Sequence, residues 1–272
     1  MKIDFSEAKW HILFIILVLL LIYPLLFAVS TSFKTMEEAY SSSALIPAAP
    51  TFSAYERVFT TIHFVQILSN TFIIASIVTL FKLVTALFAA YAFVFFRFRW
   101  KTPLYFLLIS TIFIPFTVTM IPNYMTLTKA GLIDNIYGVA LPQLADATGI
   151  FLLRQYMKGI PSSLMEVAEL DHVSHWMRLR TIVVPIIRPA ILSIGIIFFI
   201  NSWNDYVWPA IMIKSEANYT LSLALQMFVS SEGGTDIPVA MAVASLTMLL
   251  PLGLYAVCQK FIIGTFAQSG IK

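Results

Sequence analysis

The sequence predicts an all-α polytopic membrane protein with six transmembrane helices. Three observations lead to this fold class: 59% of the 272 residues are apolar, only 11% are charged, and six apolar stretches are long enough to cross a bilayer. A helix that spans the hydrocarbon needs about 20 such residues. A soluble domain has roughly 45–50% apolar and 25% charged residues, so lipid is the expected solvent for much of this chain.

The six predicted spans are separated by short connections. They cover about residues 11–31, 70–96, 104–125, 137–157, 191–213 and 237–264. The first stretch is longer than the apolar core of a typical signal peptide, and Tyr23-Pro24 interrupts it, so we expect an uncleaved span rather than a cleaved leader. The fourth stretch is the weakest, because Pro142 and Asp146 lie inside it.

Lysine and arginine are distributed unevenly over the predicted loops. With a cytoplasmic N-terminus, twelve lie in inside segments and four in outside loops, and Lys82 remains within a span. Cytoplasmic loops are enriched in positive residues, so both termini are expected to be cytoplasmic. The net charge of +3 is too small to suggest nucleic acid as a partner, and the single cysteine, Cys258, excludes a disulfide framework within the chain.

A charged segment over residues 161–185 separates the fourth and fifth spans. Its first part predicts a short helix, because Pro161 suits a helix start and Leu164, Val167 and Ala168 recur on one face. Its acidic residues lack the spacing of metal ligands. These residues alone leave open whether the segment is only a solvated loop.

The second part of the segment predicts another short helix after a sharp turn. Asp171-His172 breaks the first helical pattern, and Ser174 can cap the next helix. Pro185 and Pro189 are expected to bend or end this helix before the fifth span. Neither histidine of the segment has an evident partner in the sequence.

The segment resembles the EAA loop of ABC importer permeases. It reads Glu-Val-Ala at 166–168, Asp-His-Val at 171–173 and Ile-Val-Val-Pro at 182–185. Further matches follow the order of the family: Ala-Ala-Tyr-Ala-Phe at 89–93, Phe-Leu-Leu-Arg-Gln at 151–155, Trp-Asn-Asp-Tyr at 203–206 and Ser-Gly-Ile-Lys at 269–272. This ordered series is similar to the second permease of carbohydrate ABC importers of the maltose-permease type.

The resemblance implies one transmembrane domain over residues 1–272, with a cytoplasmic coupling loop at 161–185 that docks on an ATPase subunit. Glu166 is expected to meet a basic residue of that subunit. The implied coupling residues are Leu164, Glu166, Val167, Ala168, Asp171, His172, Trp176, Gly270 and Lys272. His172 replaces the usual glycine at the turn; since histidine tolerates left-handed backbone better than most residues, we expect the bend to survive.

The resemblance also implies the partners and the function. The chain would form half of a translocation pathway for a carbohydrate, an oligosaccharide or glycoside, in a bacterial cytoplasmic membrane. A second homologous permease, two ATPase subunits that hold ATP and Mg²⁺, and an extracellular or periplasmic solute-binding protein would complete the importer. Because the sequence has no G-x-x-x-x-G-K-[ST] phosphate loop, we expect ATP to be hydrolysed by the partner subunits, and we expect this chain to be a transport subunit without enzyme activity or a cofactor of its own.

Two other functions are weighed against this one. The same kind of permease could import glycerol 3-phosphate or a glycerophosphodiester. An ion-coupled secondary transporter would explain charges inside spans but not the charged segment and its ordered companions. A membrane-embedded enzyme is disfavoured, because no acid–base, nucleophilic or metal-binding set gathers near one membrane face.

Polar residues within the spans are candidates for the translocation path, because charges in a bilayer are costly. The candidates are Lys82, Trp203, Asn204 and Asp205. Lys82 could pair with Asp146 or Asp205 or with the second permease, or its charge could favour an anionic substrate. The group around Asp205 could line the pathway or only hydrogen-bond between helices, and the sequence does not separate these readings.

Overall fold

The computed structural model describes residues 5–229 and 236–270, with side chains over 9–229 and 236–259. Every long element in these ranges is a helix, which confirms the all-α prediction. The chain forms two compact units, Met1–Leu68 with Leu221–Pro251 and Ser69–Thr220 with Leu252–Lys272. The expectation of a single domain stays a prediction.

The α-helices of the described ranges are numbered in chain order. They are α1 (Phe5–Thr31), α2 (Met36–Ser41), α3 (Ser53–Thr61), α4 (Phe64–Phe95), α5 (Lys101–Ser110), α6 (Phe116–Lys129), α7 (Ile136–Ala140), α8 (Ala147–Lys158), α9 (Ser162–Leu170), α10 (His175–Arg178), α11 (Val184–Trp203), α12 (Val207–Met212), α13 (Leu221–Val229) and α14 (Ile237–Gly270). Short 3₁₀ turns extend α5 and α7, and a π turn, Leu179–Val183, joins α10 to α11.

By length and composition, four helical stretches of the described residues could each cross a membrane. They cover residues 9–31, 64–95, 175–203 and 237–259. Two bent pairs, 101–113 with 116–129 and 136–143 with 147–158, raise the number to six if each pair is one span. This arrangement agrees with the six predicted spans, of which the third and fourth are interrupted.

The two interruptions follow from local chemistry. Helix α5 and its 3₁₀ extension meet α6 at 97°. Ile114, the residue between them, is extended (φ −85°, ψ 112°) because the ring of Pro115 disfavours helical backbone before it. The second pair bends by 46°, where Asp146 caps α8 by accepting a hydrogen bond from the Gly149 N–H at 3.1 Å.

The fifth span differs from its prediction at both ends. The helix runs without a break from His175 through the π turn to Trp203, whereas the sequence predicted a span over 191–213. Pro185 and Pro189 therefore do not end the preceding short helix, as one form of the prediction had it; a bend at these prolines stays a prediction. The π turn ends at Val183, two residues before Pro185, a residue that has no backbone N–H to donate within the helix.

The core of the second unit lies between α4, α8 and α11. Ala86, Leu153 and Ile194 are buried members of this core, one from each helix. Gly149 permits the close approach of α8, since a Cβ added there would lie 2.8 Å from a ring carbon of Phe198. The interrupted fourth span is thereby held tightly against the second and fifth.

A clamp joins two loops of the second unit outside the helical spans. The Asp134 carboxylate accepts hydrogen bonds from the backbone N–H groups of Lys214 at 3.0 Å and Ser215 at 2.9 Å. These backbone donors, that of Ser215 first, hold the pKa of Asp134 at about 2, below its ordinary value. Asp134 itself has φ +57°, a conformation that few residues other than glycine adopt.

The first unit buries one lysine among its connecting elements. Lys34 is fully buried; its ammonium donates to the Ser42 carbonyl at 3.0 Å and lies 5.3 Å from the ring centroid of Phe27. An ion pair between Arg57 and Asp236 joins α3 to the residue just before α14. This unit is therefore fixed by polar contacts as well as by its apolar helices.

Candidate functional site

The turn between α9 and α10 is a Schellman motif with histidine at its left-handed position. The Val173 N–H donates to the Ala168 carbonyl at 2.9 Å, and the His172 N–H donates to the Glu169 carbonyl at 3.1 Å. These are the two bonds that define the motif, whose left-handed residue is usually glycine. His172 has φ +54°, so the predicted bend does survive the replacement of glycine.

Arg178 fastens the two short helices together. Its buried side chain donates from Nε to the Val173 carbonyl at 2.7 Å, and its Nη1 lies 3.6 Å from Oε2 of Glu169. Ser174 caps α10 as predicted, accepting a bond from the Met177 N–H at 3.4 Å. Sequence reasoning counted Arg178 only as one positive charge of a cytoplasmic loop and missed this contact. We call residues 161–185 the helix–turn–helix segment.

The first helix of this segment presents one apolar face outward and one inward. Leu164 and Val167 are 45% and 57% exposed, and Leu170, one turn further, is 79% exposed. Ala168 and Met165 are instead buried within the chain. Of the predicted contact set, Ala168 therefore packs inward. Glu166 and Asp171 are exposed beside the outward face, as is His172 at the turn.

The second helix is held against α4. The Tyr91 hydroxyl lies 3.2 Å from Nδ1 of His175 and donates to the His175 carbonyl at 3.2 Å. Trp176, although exposed, stacks on Phe88 with ring centroids 6.2 Å apart. The inference that both histidines lack a partner is thus wrong for His175. Tyr91 shows no pattern in the sequence that reveals this role.

The predicted tail contacts lie at the end of the chain. Lys272 lies outside the described residues, and Gly270 is the last residue of α14, beyond the range of described side chains. Their part in coupling stays a prediction.

An ion pair occupies the break in the fourth span. Lys82, from the middle of α4, places Nζ 3.5 Å from Oδ2 of Asp146, and both side chains are largely buried. The same ammonium lies 5.1 Å from the ring centroid of Phe198. One of the partners that the sequence proposed for Lys82 is therefore the one observed. The other Asp146 oxygen caps α8, so this carboxylate serves two contacts at once.

A second carboxylate lies close to this pair. Asp205 accepts a hydrogen bond from Nε2 of Gln143 at 3.3 Å, and Gln143 also donates to the Val139 carbonyl at 3.2 Å. The charge of Lys82 acts on Asp205 as well. We call Lys82, Gln143, Asp146 and Asp205 the polar cluster. Gln143 was missed from the sequence because a single neutral amide gives no charge signal.

The other two predicted pathway residues lie in different surroundings. Trp203 is fully buried, and its ring stacks on Phe199 with centroids 5.7 Å apart. Its indole is packed inside the chain in this conformation. Asn204 ends α11 and is exposed. Contact between these residues and a substrate stays a prediction.

Comparison with known proteins supplies the family. The model of the family described as "Binding-protein-dependent transport system inner membrane component" matches residues 82–263. The chain belongs to this family. The match includes the complete helix–turn–helix segment and all four residues of the polar cluster.

Relatives of this inner-membrane permease match nearly its whole length. An ABC transporter permease protein, ORF2 of Caldicellulosiruptor sp. (strain Rt8B.4), is 32% identical over 97% of each chain. The sn-glycerol-3-phosphate transport system permease proteins UgpE of Rhizobium meliloti (strain 1021) and Pectobacterium atrosepticum are 27% and 29% identical, covering 96% and 95% of each chain respectively. The permease is accordingly a transport subunit of an ABC importer and not an enzyme.

Solved structures share the fold of the permease. A chain of a bacterial ABC transporter involved in the import of the acidic polysaccharide alginate superposes with a TM-score of 0.83, 23% identity and coverage of 96% of this chain and 99% of that one. A chain of the bacterial alginate ABC transporter in complex with an alginate pentasaccharide-bound periplasmic protein superposes with a TM-score of 0.67 and 13% sequence identity, covering 93% of this chain and 94% of that one. At these identities the likeness concerns fold alone.

Proposed function

We propose that the permease forms half of a translocation pathway and couples it to an ATPase through the helix–turn–helix segment. The observation that carries this proposal is the outward face of α9. It presents exposed Leu164, Val167 and Leu170 next to the exposed carboxylate of Glu166. An apolar patch bordered by charge is typical of a protein–protein interface, in which an apolar centre is surrounded by a polar rim.

The inner side of the segment makes this face rigid. Met165 and Ala168 are buried, the Schellman bonds fix the turn, and Arg178 joins the second helix to Glu169 and Val173. A surface that is already ordered loses less conformational entropy on docking. A push on α9 would therefore move the two short helices together rather than bend the turn between them.

The continuous helix beyond the turn gives this movement a route into the membrane. Helix α10 passes through the π turn into α11, and the whole stretch of 29 residues is about 43 Å long at 1.5 Å per residue. Its far end lies just before Asp205 of the polar cluster. Reorientation of this helix would move Asp205 and its neighbours with it, and alternating access requires such a movement along the translocation pathway.

The proposal includes the partners that the chain itself does not supply. ATP and Mg²⁺ would be held by two ATPase subunits, since the sequence has no phosphate loop. A second homologous permease would form the other half of the pathway, and a solute-binding protein would deliver the substrate. Both termini and the helix–turn–helix segment would be cytoplasmic, which the distribution of lysine and arginine favours.

We favour a carbohydrate, an oligosaccharide or glycoside, as the substrate. Lys82 lies 3.5 Å from Asp146, so this lysine contributes little net positive charge for attracting an anion. Glycerol 3-phosphate or a glycerophosphodiester is the second candidate, because relatives of 27% and 29% identity are named for sn-glycerol-3-phosphate transport. Uptake of a labelled oligosaccharide and of labelled glycerol 3-phosphate, measured in the same cells, separates the two.

The coupling proposal is tested with Glu166→Ala. Removing one partner of a buried interfacial charge pair weakens binding by about 2 kcal/mol or more, so affinity for the ATPase subunit should fall at least about 30-fold. Solute uptake should fall with it. Glu216→Ala is the matched control, because Glu216 is also exposed but lies in a predicted outer loop.

Two readouts make the result decisive. Pull-down of the ATPase subunit by the tagged permease reports docking, and circular dichroism of the purified chain reports folding. Because the Glu166 side chain is exposed, the variant should fold normally. Wild-type ATPase binding and uptake by Glu166→Ala would contradict the proposed docking contact.

A further inference from the structure

Four cations of the second unit converge at the ends of three helices. Arg97 follows α4, Lys101 begins α5, and Arg154 and Lys158 lie in the last two turns of α8. Arg154 and Lys158 are four residues apart, so they share one face of their helix. The positive charges of Arg154, Lys158 and Arg97 all repel that of Lys101. We call these four residues the basic cluster.

None of these charges is neutralised by an acid of the described chain. The ion pairs among described side chains are Arg57–Asp236, Lys82–Asp146 and Arg178–Glu169, and none includes a member of the basic cluster. Ordinary topological bias explains why positive residues share a membrane side. It does not explain why four of them gather at the ends of three helices with no carboxylate paired to any of them among the described side chains.

Lys101 is fixed in this position by the end of α4. Its ammonium donates to the carbonyls of Val94 at 3.0 Å and Phe96 at 2.9 Å. Carbonyl groups at a helix C-terminus carry partial negative charge and favour a cation there. The lysine is thus held in place rather than free to swing away from its positive neighbours.

Two hydrogen-bond donors next to the basic cluster lack acceptors. Nε of Arg154 and the hydroxyl of Tyr105 are buried and bond to no acceptor among the described residues. The Arg154 guanidinium carbon lies 3.9 Å from the centroid of the Tyr105 ring, so the two groups are neighbours. A buried polar group without a partner is costly, and it is expected to meet one in the functional state.

The surroundings indicate the depth of this site. Trp100, the residue before Lys101, is 62% exposed, and Arg99 lies 5.8 Å from the centre of its ring. Tryptophan and arginine in this arrangement are typical of the membrane–water interface. These neighbours agree with a position of the basic cluster near lipid headgroups.

We propose that the basic cluster is a binding site for a phosphate group, carried by an anionic phospholipid headgroup or by a water-soluble phosphate. Phosphate oxygens accept hydrogen bonds from several donors at once, and an arginine fork matches their geometry. Basic pockets between transmembrane helices bind anionic headgroups in the same way. A bound phosphate would offset the repulsion among the four cations and give Arg154 and Tyr105 an acceptor.

The test is phosphatidylglycerol binding to the full-length chain in detergent, followed by native mass spectrometry. In Arg154→Gln/Lys158→Gln the apparent Kd should rise roughly 30-fold, and in Lys158→Gln alone about fivefold, since each cation near an anionic headgroup contributes comparably. Arg188→Gln is the control, because Arg188 is an exposed cation outside the basic cluster, and it should bind as wild type does. The exposed Lys158 keeps the test informative if the double variant folds poorly.

Two further titrations identify the source of the phosphate. If inorganic phosphate binds wild type but neither Lys158→Gln nor the double variant, the result supports a site for a water-soluble phosphate. Zwitterionic phosphatidylcholine should bind much more weakly than phosphatidylglycerol. The proposal is overturned if the variants bind phosphatidylglycerol and inorganic phosphate as wild type does, or if phosphatidylcholine binds wild type equally well.

Discussion

The ion pair between Lys82 and Asp146 should be coupled energetically, and a double-mutant cycle measures the coupling. The two charges are 3.5 Å apart, which at an effective dielectric constant of 20 corresponds to about 5 kcal/mol of attraction. Both side chains retain some exposure, 15% and 27%, so solvent screens part of this. The expected coupling free energy is about 1–3 kcal/mol.

The substitutions are chosen to change charge while preserving other contacts. Lys82→Met keeps the length and packing of the side chain, and Asp146→Asn keeps an oxygen that can accept the α8 capping bond from Gly149. Each single variant leaves a largely buried charge without its partner, which should lower the free energy of unfolding by about 3 kcal/mol. The double variant removes both charges of the pair, so it should lose clearly less than the sum of the two.

The assay is unfolding of the purified permease in a mild detergent, followed by circular dichroism. Lys129→Met serves as the control, because Lys129 is exposed, and it should change the unfolding free energy by less than about 0.5 kcal/mol. Additive losses from the single variants, within about 0.5 kcal/mol, would refute an energetic pair at this position.

The same variants test the substrate reasoning. Because Asp146 neutralises Lys82, Lys82→Met should reduce uptake of a neutral oligosaccharide and of glycerol 3-phosphate by the same factor, through loss of folded permease. A selective loss of glycerol 3-phosphate uptake would show that the Lys82 charge acts on the substrate, contrary to the pairing argument.

Two further outcomes are expected. His172→Gly should raise the unfolding free energy by up to about 1 kcal/mol, because glycine relieves the left-handed strain but makes the unfolded chain more flexible. Coupling to the ATPase should be retained. A variant that folds yet abolishes transport would reveal another role for His172. The lowered pKa of Asp134, about 2, stabilises the folded state above the unfolded pKa near 4, and this contribution is lost as pH falls from about 4 to 2. Wild type should therefore exceed Asp134→Asn in unfolding free energy by about 1 kcal/mol at pH 6, after allowance for solvent screening, and by less at pH 3. A difference that stays constant between pH 3 and pH 6 would contradict the lowered pKa of Asp134.

The constraints of the bilayer explain why the helical spans could be predicted from the sequence. A spanning segment must satisfy its backbone internally and must be apolar over a fixed length, so the sequence alone predicts a helix and its approximate ends. The first span was predicted to end at Thr31 and does so. The fourth stretch was predicted to be the weakest because Pro142 and Asp146 lie inside it, and a bent helix pair is observed there.

Features that depend on one extra backbone residue or on distant contacts could not be predicted in this way. Proline usually ends a helix, but the π turn before Pro185 lets α10 continue, and no sequence pattern distinguishes the two outcomes. Gln143 meets Asp205 only because the fourth and fifth spans pack together. Arg178 fastens the helix–turn–helix segment through a carbonyl that the Schellman turn exposes, so its role follows from the turn rather than from its charge.

The π turn has a consequence for how motion would pass along the fifth span. A regular α-helix is stiff, so a push on the helix–turn–helix segment would reach Trp203 and Asp205 almost undiminished. A π turn replaces the regular i→i−4 ladder locally, and such turns and prolines are the common sites where helices bend. A bend between α10 and the long part of α11 is therefore expected at Leu179–Val183. Because Arg178 and the His175 contact with Tyr91 hold α10 in place, bending at the π turn would tilt α11 and leave the turn between α9 and α10 intact.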